Sequence, residues 1–208
     1  MCQAAFFITL NTMTPPKEVA RRFAARFRAT LPEYDEQRLA SIMTYCTADK
    51  GETILAEGRV SHNMLFVERG LIRQYYYKNG IDITEHFCCE EDVVYCTESM
   101  LKQSPTELMI EAEEDCSYYE IPFKRFMELC EESNPIMKLY CRILEDGLLE
   151  SLRKTDAQRF ESARERYENF VRQYPEAAKR ASGKHIASYL LMTPESLCRI
   201  KAEIVRQK

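Results

Sequence analysis

KHIASYLLMTPESLCRIKAEI, Lys184–Ile204, decides how the rest of the chain is read. It predicts two short helices joined by a turn of three or four residues. Around Ala187, apolar residues recur at Ile186, Leu190, Met192, Leu197 and Ile200. That is the interior spacing of a helix-turn-helix, in which two helices cross steeply with a small residue at the crossing. Thr193 is placed to cap the second helix, Pro194 suits its first position, and Glu195 complements the positive helix end. Leu191 stands at the turn position where glycine is usual. A non-glycine residue at positive φ costs about 1–2 kcal/mol, so the turn is expected to be either strained or of variant geometry.

If residues 193–206 form a recognition helix, Pro194, Glu195, Cys198 and Arg199 face outward as candidate base contacts. Arg199 can fork onto guanine O6 and N7, and Glu195 can accept from cytosine N4, each contact discriminating by about 1–3 kcal/mol. Lys184, Ser196 and Lys201 are candidate phosphate contacts, which position without specifying. A helical hairpin that merely packs on its neighbours would show the same apolar spacing.

Charge bears on that choice. The chain has 208 residues and a net charge of −4, but the distribution is uneven. Residues 82–120 carry twelve acids and one base, a net −11, whereas residues 151–208 carry thirteen bases and seven acids, a net +6. A basic end on a weakly acidic chain suits a polyanionic partner, since non-specific DNA affinity is largely phosphate neutralisation. The length allows one large domain or two small ones. No apolar run approaches the ~20 residues of a membrane span, and no base precedes Ala4–Leu10 as a signal peptide requires; a cytoplasmic location and no membrane partner are expected.

Towards the N-terminus the texture changes twice. Pro15-Pro16 opens a helical stretch with Val19, Phe23, Phe27 and Leu31 on one stripe, and a second helix is expected from Tyr34 to Tyr45. From about Thr47 come short β runs: residues 52–55, 64–67, 71–77, 81–87, 107–112 and 117–121. Asn79-Gly80 between two of them is a strong hairpin signal, because both central residues need positive φ. Such strands without alternating helices indicate a sandwich or barrel. Helices are then expected at Phe123–Cys130, from Asn134 to about Thr155, and at Phe160–Tyr174. The long one is apolar over more than one face, so either it is sandwiched between two domains or part of it meets a second copy; Ile136, Tyr140, Ile143, Leu144 and Leu148 are assigned to that dimer contact, with Gly147 permitting close approach.

The nine cysteines are scattered and contain no CxxC pair. Packed, reduced thiols are the expectation; a redox or metal site would use Cys88, Cys89 and Cys96 beside His86, but no second cluster completes a ligand set. No metal site is therefore assigned. His62, His86 and His185 lie in three separate segments, which argues against a catalytic triad or a haem axial pair. No catalytic residue is assigned and no enzyme is expected.

The order of parts resembles the Crp/Fnr superfamily of bacterial transcription regulators, and in text its Bacteroidetes branch. GETILAEG (51–58), LFVERGLIRQYY (65–76), the helix from Asn134 and KHIASYLLMTPESLCRI carry the likeness, over about residues 31–208. The resemblance implies an α+β architecture: a cyclic-nucleotide-binding-like jelly roll, a long helix that makes a homodimer, and a C-terminal winged helix-turn-helix that reads double-stranded DNA. It supports base contacts at Glu195 and Arg199, and implies RNA polymerase as partner if the protein activates. The domain divisions expected are 1–30 (extension and helix), 31–133 (roll), 134–157 (dimer helix) and 158–208 (DNA-binding). Members that bind cyclic AMP carry Gly-Glu and Arg-Ser in the roll's phosphate cassette; here Cys96 stands at the Glu position and Thr106-Glu107 at the Arg-Ser positions. With no arginine between Arg73 and Arg125, cyclic AMP is not expected to bind, and no cofactor is expected. An effector pocket, if present, would involve Tyr75, Phe87, Tyr95, Cys96 and Thr106. The alternative is a small-molecule-binding module whose helical end contacts protein.

Overall fold

The computed structural model describes residues 14–206; the first dozen residues and Cys2 lie outside them. The elements are α1 (Pro16–Arg26), α2 (Glu33–Ser41), β1 (Thr44–Ala48), β2 (Thr53–Leu55), β3 (Asn63–Arg69), β4 (Ile72–Lys78), β5 (Ile81–Cys88), β6 (Val93–Val94), α3 (Thr97–Lys102), β7 (Met109–Ala112), β8 (Cys116–Pro122), α4 (Phe123–Glu132), α5 (Asn134–Phe160), α6 (Ala163–Gln173), α7 (Pro175–Arg180), α8 (Gly183–Tyr189) and α9 (Pro194–Arg206).

The strands form two antiparallel four-stranded sheets, ordered β1-β8-β3-β6 and β2-β7-β4-β5. Alternation along each strand sends Leu65, Val67, Ile72, Val94, Ile110 and Tyr118 between the sheets. The β4–β5 hairpin turns at Asn79 (φ 53°) and Gly80 (φ 76°), the paired positive values the sequence demanded. On the outer side of the first sheet, Met64, Phe66, Tyr119 and Ile121 pack against Phe23, Phe126, Leu139 and Ile143. The stripe of α1 is thus core, with Phe23 edge-on to Phe66 at 5.8 Å and to Phe126 at 6.3 Å. The helix expected within residues 1–30 therefore packs in one core cluster with the roll.

Some boundaries move. Thr44 and Tyr45 are strand rather than helix, because β1 pairs with β8 (Tyr45 opposite Tyr119). The short β6 and α3 were not legible in the sequence. Residues 160–174 are not one helix: α5 runs to Phe160, then Ser162 and Glu165 form a reciprocal capping box that starts α6. Pro175 opens α7 instead of closing a helix. Among the described residues no strand follows β8, so the wing implied by the resemblance is absent from them.

The C-terminal helices dock on the outer face of the second sheet. Leu71 and Phe87 leave that face to join Phe170, Ala177, Ile186, Ala187 and Leu197 in one buried cluster. Beside them lies Arg73, 2% exposed, with Asp82 Oδ1 at 2.7 Å from Nη1, Glu113 Oε1 at 3.3 Å from Nε and Glu111 Oε1 at 3.7 Å from Nη2. Nε makes no hydrogen bond. The α8 helix covers this cluster. The Ser188 hydroxyl donates to Asp82 O (2.7 Å) and accepts from Thr84 N–H (2.9 Å), satisfying the sheet edge at β5, and His185 pairs with Glu113. Arg180 reaches across to Glu90 at 2.8 Å and Glu114 at 3.1 Å. Glu90 also accepts from Gly70 N–H at 2.9 Å. Gly70 is at φ 106°, and a Cβ there would stand 2.5 Å from Cys116 Sγ. On α5, Glu150 accepts from the Tyr174 hydroxyl (2.8 Å) and lies 3.3 Å from His86 Nδ1.

Two predictions follow from this docking. Gly70→Ala is expected to lower stability by about 2–4 kcal/mol through left-handed strain and overpacking, measured by denaturant unfolding. Burial opposes the ionisation of Glu90, yet the Arg180 guanidinium and the Gly70 N–H more than offset it, holding the carboxyl at about 2. Burial likewise opposes Glu150, and His86, Tyr174 and Lys154 hold it at about 2. A carboxyl lowered on folding contributes stability that is complete above its ordinary value of 4.5 and is lost as pH falls towards 2. Amides of α8 are expected to lose hydrogen-exchange protection in that window ahead of the β3–β8 ladder; simultaneous loss would show that the contacts do not hold the docking.

Candidate nucleic-acid interface and effector cleft

The helical pair is built as its apolar spacing requires. Ile186, Ala187, Leu190, Leu197 and Ile200 are 1–5% exposed, and Met192 packs against the same cluster. Ser182 caps α8 by accepting from His185 N–H at 3.1 Å, and Thr193 caps α9 by accepting from Ser196 N–H at 3.2 Å. Leu191 adopts φ 52°, so the turn is left-handed at a non-glycine residue. Its N–H donates to Ser188 O at 3.0 Å, and the Met192 N–H to Ala187 O at 3.0 Å. The strained alternative is the one observed.

With Leu197 and Ile200 turned inward, the 3.6-residue period places Pro194, Glu195, Cys198 and Arg199 on the opposite face. All four are exposed. The own N–H of Glu195 and the Thr193 hydroxyl hold its carboxyl below the usual range, so it is an ionised acceptor. Of the predicted phosphate contacts, Lys184 is exposed at the start of α8; Ser196 is half-buried and bonded to Thr193; Lys201 is half-buried with its ammonium 5.7 Å from the Tyr167 ring centroid. Sequence reasoning missed Arg180, His185 and Ser188, which fix the orientation of this unit on the roll. Their signal was visible only as opposite charge in two distant segments.

The residues assigned to an effector pocket do not form one site. Tyr95 and Phe87 line a cleft of about 900 Å³ between the roll and α5, together with Gln74, Tyr76, His86 and Gly147. Gly147 permits the approach, since a Cβ there would lie 3.3 Å from Tyr95 Oη. Phe87 is turned mainly to Phe170 and Tyr189, at 6.0 and 5.7 Å. Tyr75 shares Arg73's side of the sheet, with the guanidinium 3.8 Å from its ring centroid and its hydroxyl donating to Glu111, and does not line the cleft. Cys96 and Thr106 are buried: Gln74 Nε2 donates to Cys96 Sγ at 3.2 Å, and Thr106 Oγ1 accepts from Leu108 N–H at 2.9 Å. Five carboxylates face the cleft, Glu85, Asp92, Glu98, Asp146 and Glu150, against two cations: Arg26 pairs with Asp92 and Asp146, and Lys154 with Glu85.

The α5 assignments divide as well. Ile136 and Ile143 are 0% and 1% exposed and sit in the chain's own core, because that stripe faces α1 and α4; Tyr140 packs on Phe123 and Phe126 at 6.1 Å. Only Leu144 and Leu148 of the five are open, at 38% and 63%, continued by Leu149 (45%) and Leu152 (54%). Burial pushes the Cys88, Cys89 and Cys96 thiols upward, so they are not reactive thiolates. Among the described residues no group of three or more metal-ligating side chains is assembled, and no helix is long and apolar enough to cross a membrane.

Residues 46–133 match the family model described as the cyclic nucleotide-binding domain. No curated protein matches the chain by sequence. Among solved structures, FixK2 from Bradyrhizobium japonicum is similar at TM-score 0.69 and 20% identity, over 80% of this chain and 86% of that one. A protein from Eubacterium rectale, assigned to the Crp/Fnr family of transcriptional regulators, is similar at TM-score 0.65 and 17% identity, over 85% of each chain. The catabolite activator protein of Thermus thermophilus gives TM-score 0.54 and 16% identity, over 88% of this chain and 87% of that one. Residues 46–133 thus resemble the cyclic nucleotide-binding domain, and the chain as a whole shares its fold with these three solved proteins.

Proposed function

We propose that the protein is a homodimeric, sequence-specific DNA-binding transcription regulator that reads a palindromic site with α9. The observation that carries this is the exposed row Pro194, Glu195, Cys198 and Arg199 above a buried Leu197–Ile200 seam. A rigid helix offering an ionised carboxylate and a guanidinium is suited to base edges in a major groove. The ridge Leu144, Leu148 and Leu152 on α5 supplies an apolar face for a second copy. Two α9 helices would then enter major grooves about 34–36 Å apart. RNA polymerase is a partner if the protein activates, and the cytoplasm is the compartment where such a regulator meets DNA. No catalytic role is proposed.

The roll is proposed to sense a signal other than a cyclic nucleotide, or none. Cys96 and Thr106 are already bonded within the fold, the guanidinium at the cleft, Arg26, is held by Asp92 and Asp146, and Arg73 is buried among carboxylates on the outer face. At the cleft five carboxylates outnumber Arg26 and Lys154, and both cations are already paired with them, which disfavours a phosphodiester.

DNA fragments selected by the purified protein are expected to share inverted half-sites. On that selected DNA, Arg199→Ala is expected to cost about 1–3 kcal/mol and to relax one base position, with dimerisation by sedimentation unchanged. Leu148→Glu is expected to do the converse, dispersing the dimer. Selection of no common sequence would favour a small-molecule module whose helical end contacts protein. Calorimetric titration with cyclic AMP is expected to show no binding, and a saturable isotherm at micromolar concentration would overturn that assignment.

A further inference from the structure

A second cleft adjoins the first at the junction of α5 with the C-terminal helices, sharing Glu150, Lys154, Gln158 and Tyr174 with it. Its volume is about 430 Å³, within the range of ligand sites. One wall is the α5 stripe Arg153, Ala157 and Glu161; the other comes from Arg166, Asn169 and Arg172 of α6. The floor is aromatic: Phe170, Tyr174 and Tyr189 pack mutually at 5.2–6.1 Å between centroids. Leu190 and Leu191 of the left-handed turn close one end.

Three features define what fits there. Among the described residues, Arg153, Arg166 and Arg172 make no ion pair. Arg166 instead donates to two carbonyls, Leu190 O at 3.1 Å and Glu161 O at 2.8 Å, which leaves the exposed Arg153 and Arg172 as open cations at the mouth. Glu161 has one carboxylate oxygen engaged by Asn169 Nδ2 at 2.8 Å, while Oε2 is shut off from solvent with no donor. A buried acceptor without a donor is costly, and it sits at the opposite end of the wall from Arg153. Arg153 and Glu161 stand eight residues apart along this wall, a rise of about 12 Å, so a ligand that reaches both ends is elongated and carries a polar group at each.

We propose that this cleft binds a small aromatic acid that also carries an N–H or O–H donor. The ring lies on the aromatic floor, the donor meets Glu161 Oε2, and the carboxylate is held by Arg153 and Arg172. Four cations (Arg153, Lys154, Arg166 and Arg172) line it against three carboxylates (Glu150, Asp156 and Glu161), whereas the cleft at the roll has five carboxylates against two cations, so the balance of charge favours an anion here. Because Leu190 and Leu191 form part of the wall, occupancy also biases the α8–α9 unit; that extension alone rests on the DNA-binding reading.

The test uses the full chain without DNA, so failure of DNA recognition does not affect it. Calorimetric titration with 4-hydroxyphenylacetate is expected to give saturable binding, one per chain. The neutral amide, 4-hydroxyphenylacetamide, is expected to bind at least about tenfold more weakly for want of a charge-assisted pair. Arg153→Gln with Arg172→Gln, both at exposed positions, should produce the same loss for the acid and none for the amide. Ala157→Phe, which fills the space, should abolish binding of both. Equal affinities for acid and amide, an unchanged affinity in the arginine variant, or no binding of the acid up to about 10 mM would each overturn the proposal.

Discussion

The buried guanidinium of Arg73 sets the terms for the rest of the molecule. A charge at 2% exposure costs several kcal/mol unless it is paired, and Asp82, Glu111 and Glu113 supply the pairing. Three carboxylates around one cation leave an excess of negative charge. His185 of α8 contacts Glu113, one of the three, and Arg180 of α7 pairs with Glu90 and Glu114 at the same junction. The outer face of the second sheet therefore needs α8 over it, both for its apolar residues Leu71 and Phe87 and for this polar cluster. The position of α9 in space follows from that cover.

Charge segregation consequently has two uses. In the sequence, the acidic stretch 82–120 and the basic C-terminal end suggested a polyanionic partner outside the chain. In the fold, some of those opposite charges meet each other: Lys154 pairs with Glu85 at 2.7 Å, and Arg180 with Glu90 and Glu114. What remains open at the helix-turn-helix is a smaller set, Lys184 and Arg199 foremost. Specific geometry on α9, more than net charge, then supports the DNA-binding proposal.

The helix-turn-helix was legible because its signals are local. Apolar spacing around Ala187, a capping Thr193 and the following proline fix two helices and their crossing without reference to anything distant. The Asn79-Gly80 hairpin was legible for the same reason. The burial of α1 was half legible: Val19, Phe23 and Phe27 announced an apolar stripe, but not that Phe66 and Phe126 would meet it. Boundaries failed where tertiary pairing overrode local pattern, as when β8 drew Thr44 and Tyr45 into a strand. The five residues assigned to an effector pocket part company because only Phe87 and Tyr95 face the cleft. Strand alternation and a bulge at Gln74/Tyr75 decide which face each residue occupies, and neither can be read from one segment alone. Ile136 and Ile143 were misassigned likewise, since a helix apolar on several faces does not say which face meets its own domain.

Glu150 belongs to α5, yet its carboxylate joins His86 of the roll to Tyr174 beside α7. Were the C-terminal helices to lift away, that oxygen would lose the Tyr174 hydroxyl and keep His86. One carboxylate thus answers to the roll and to the C-terminal helices at once, so the seating of either bears on the other.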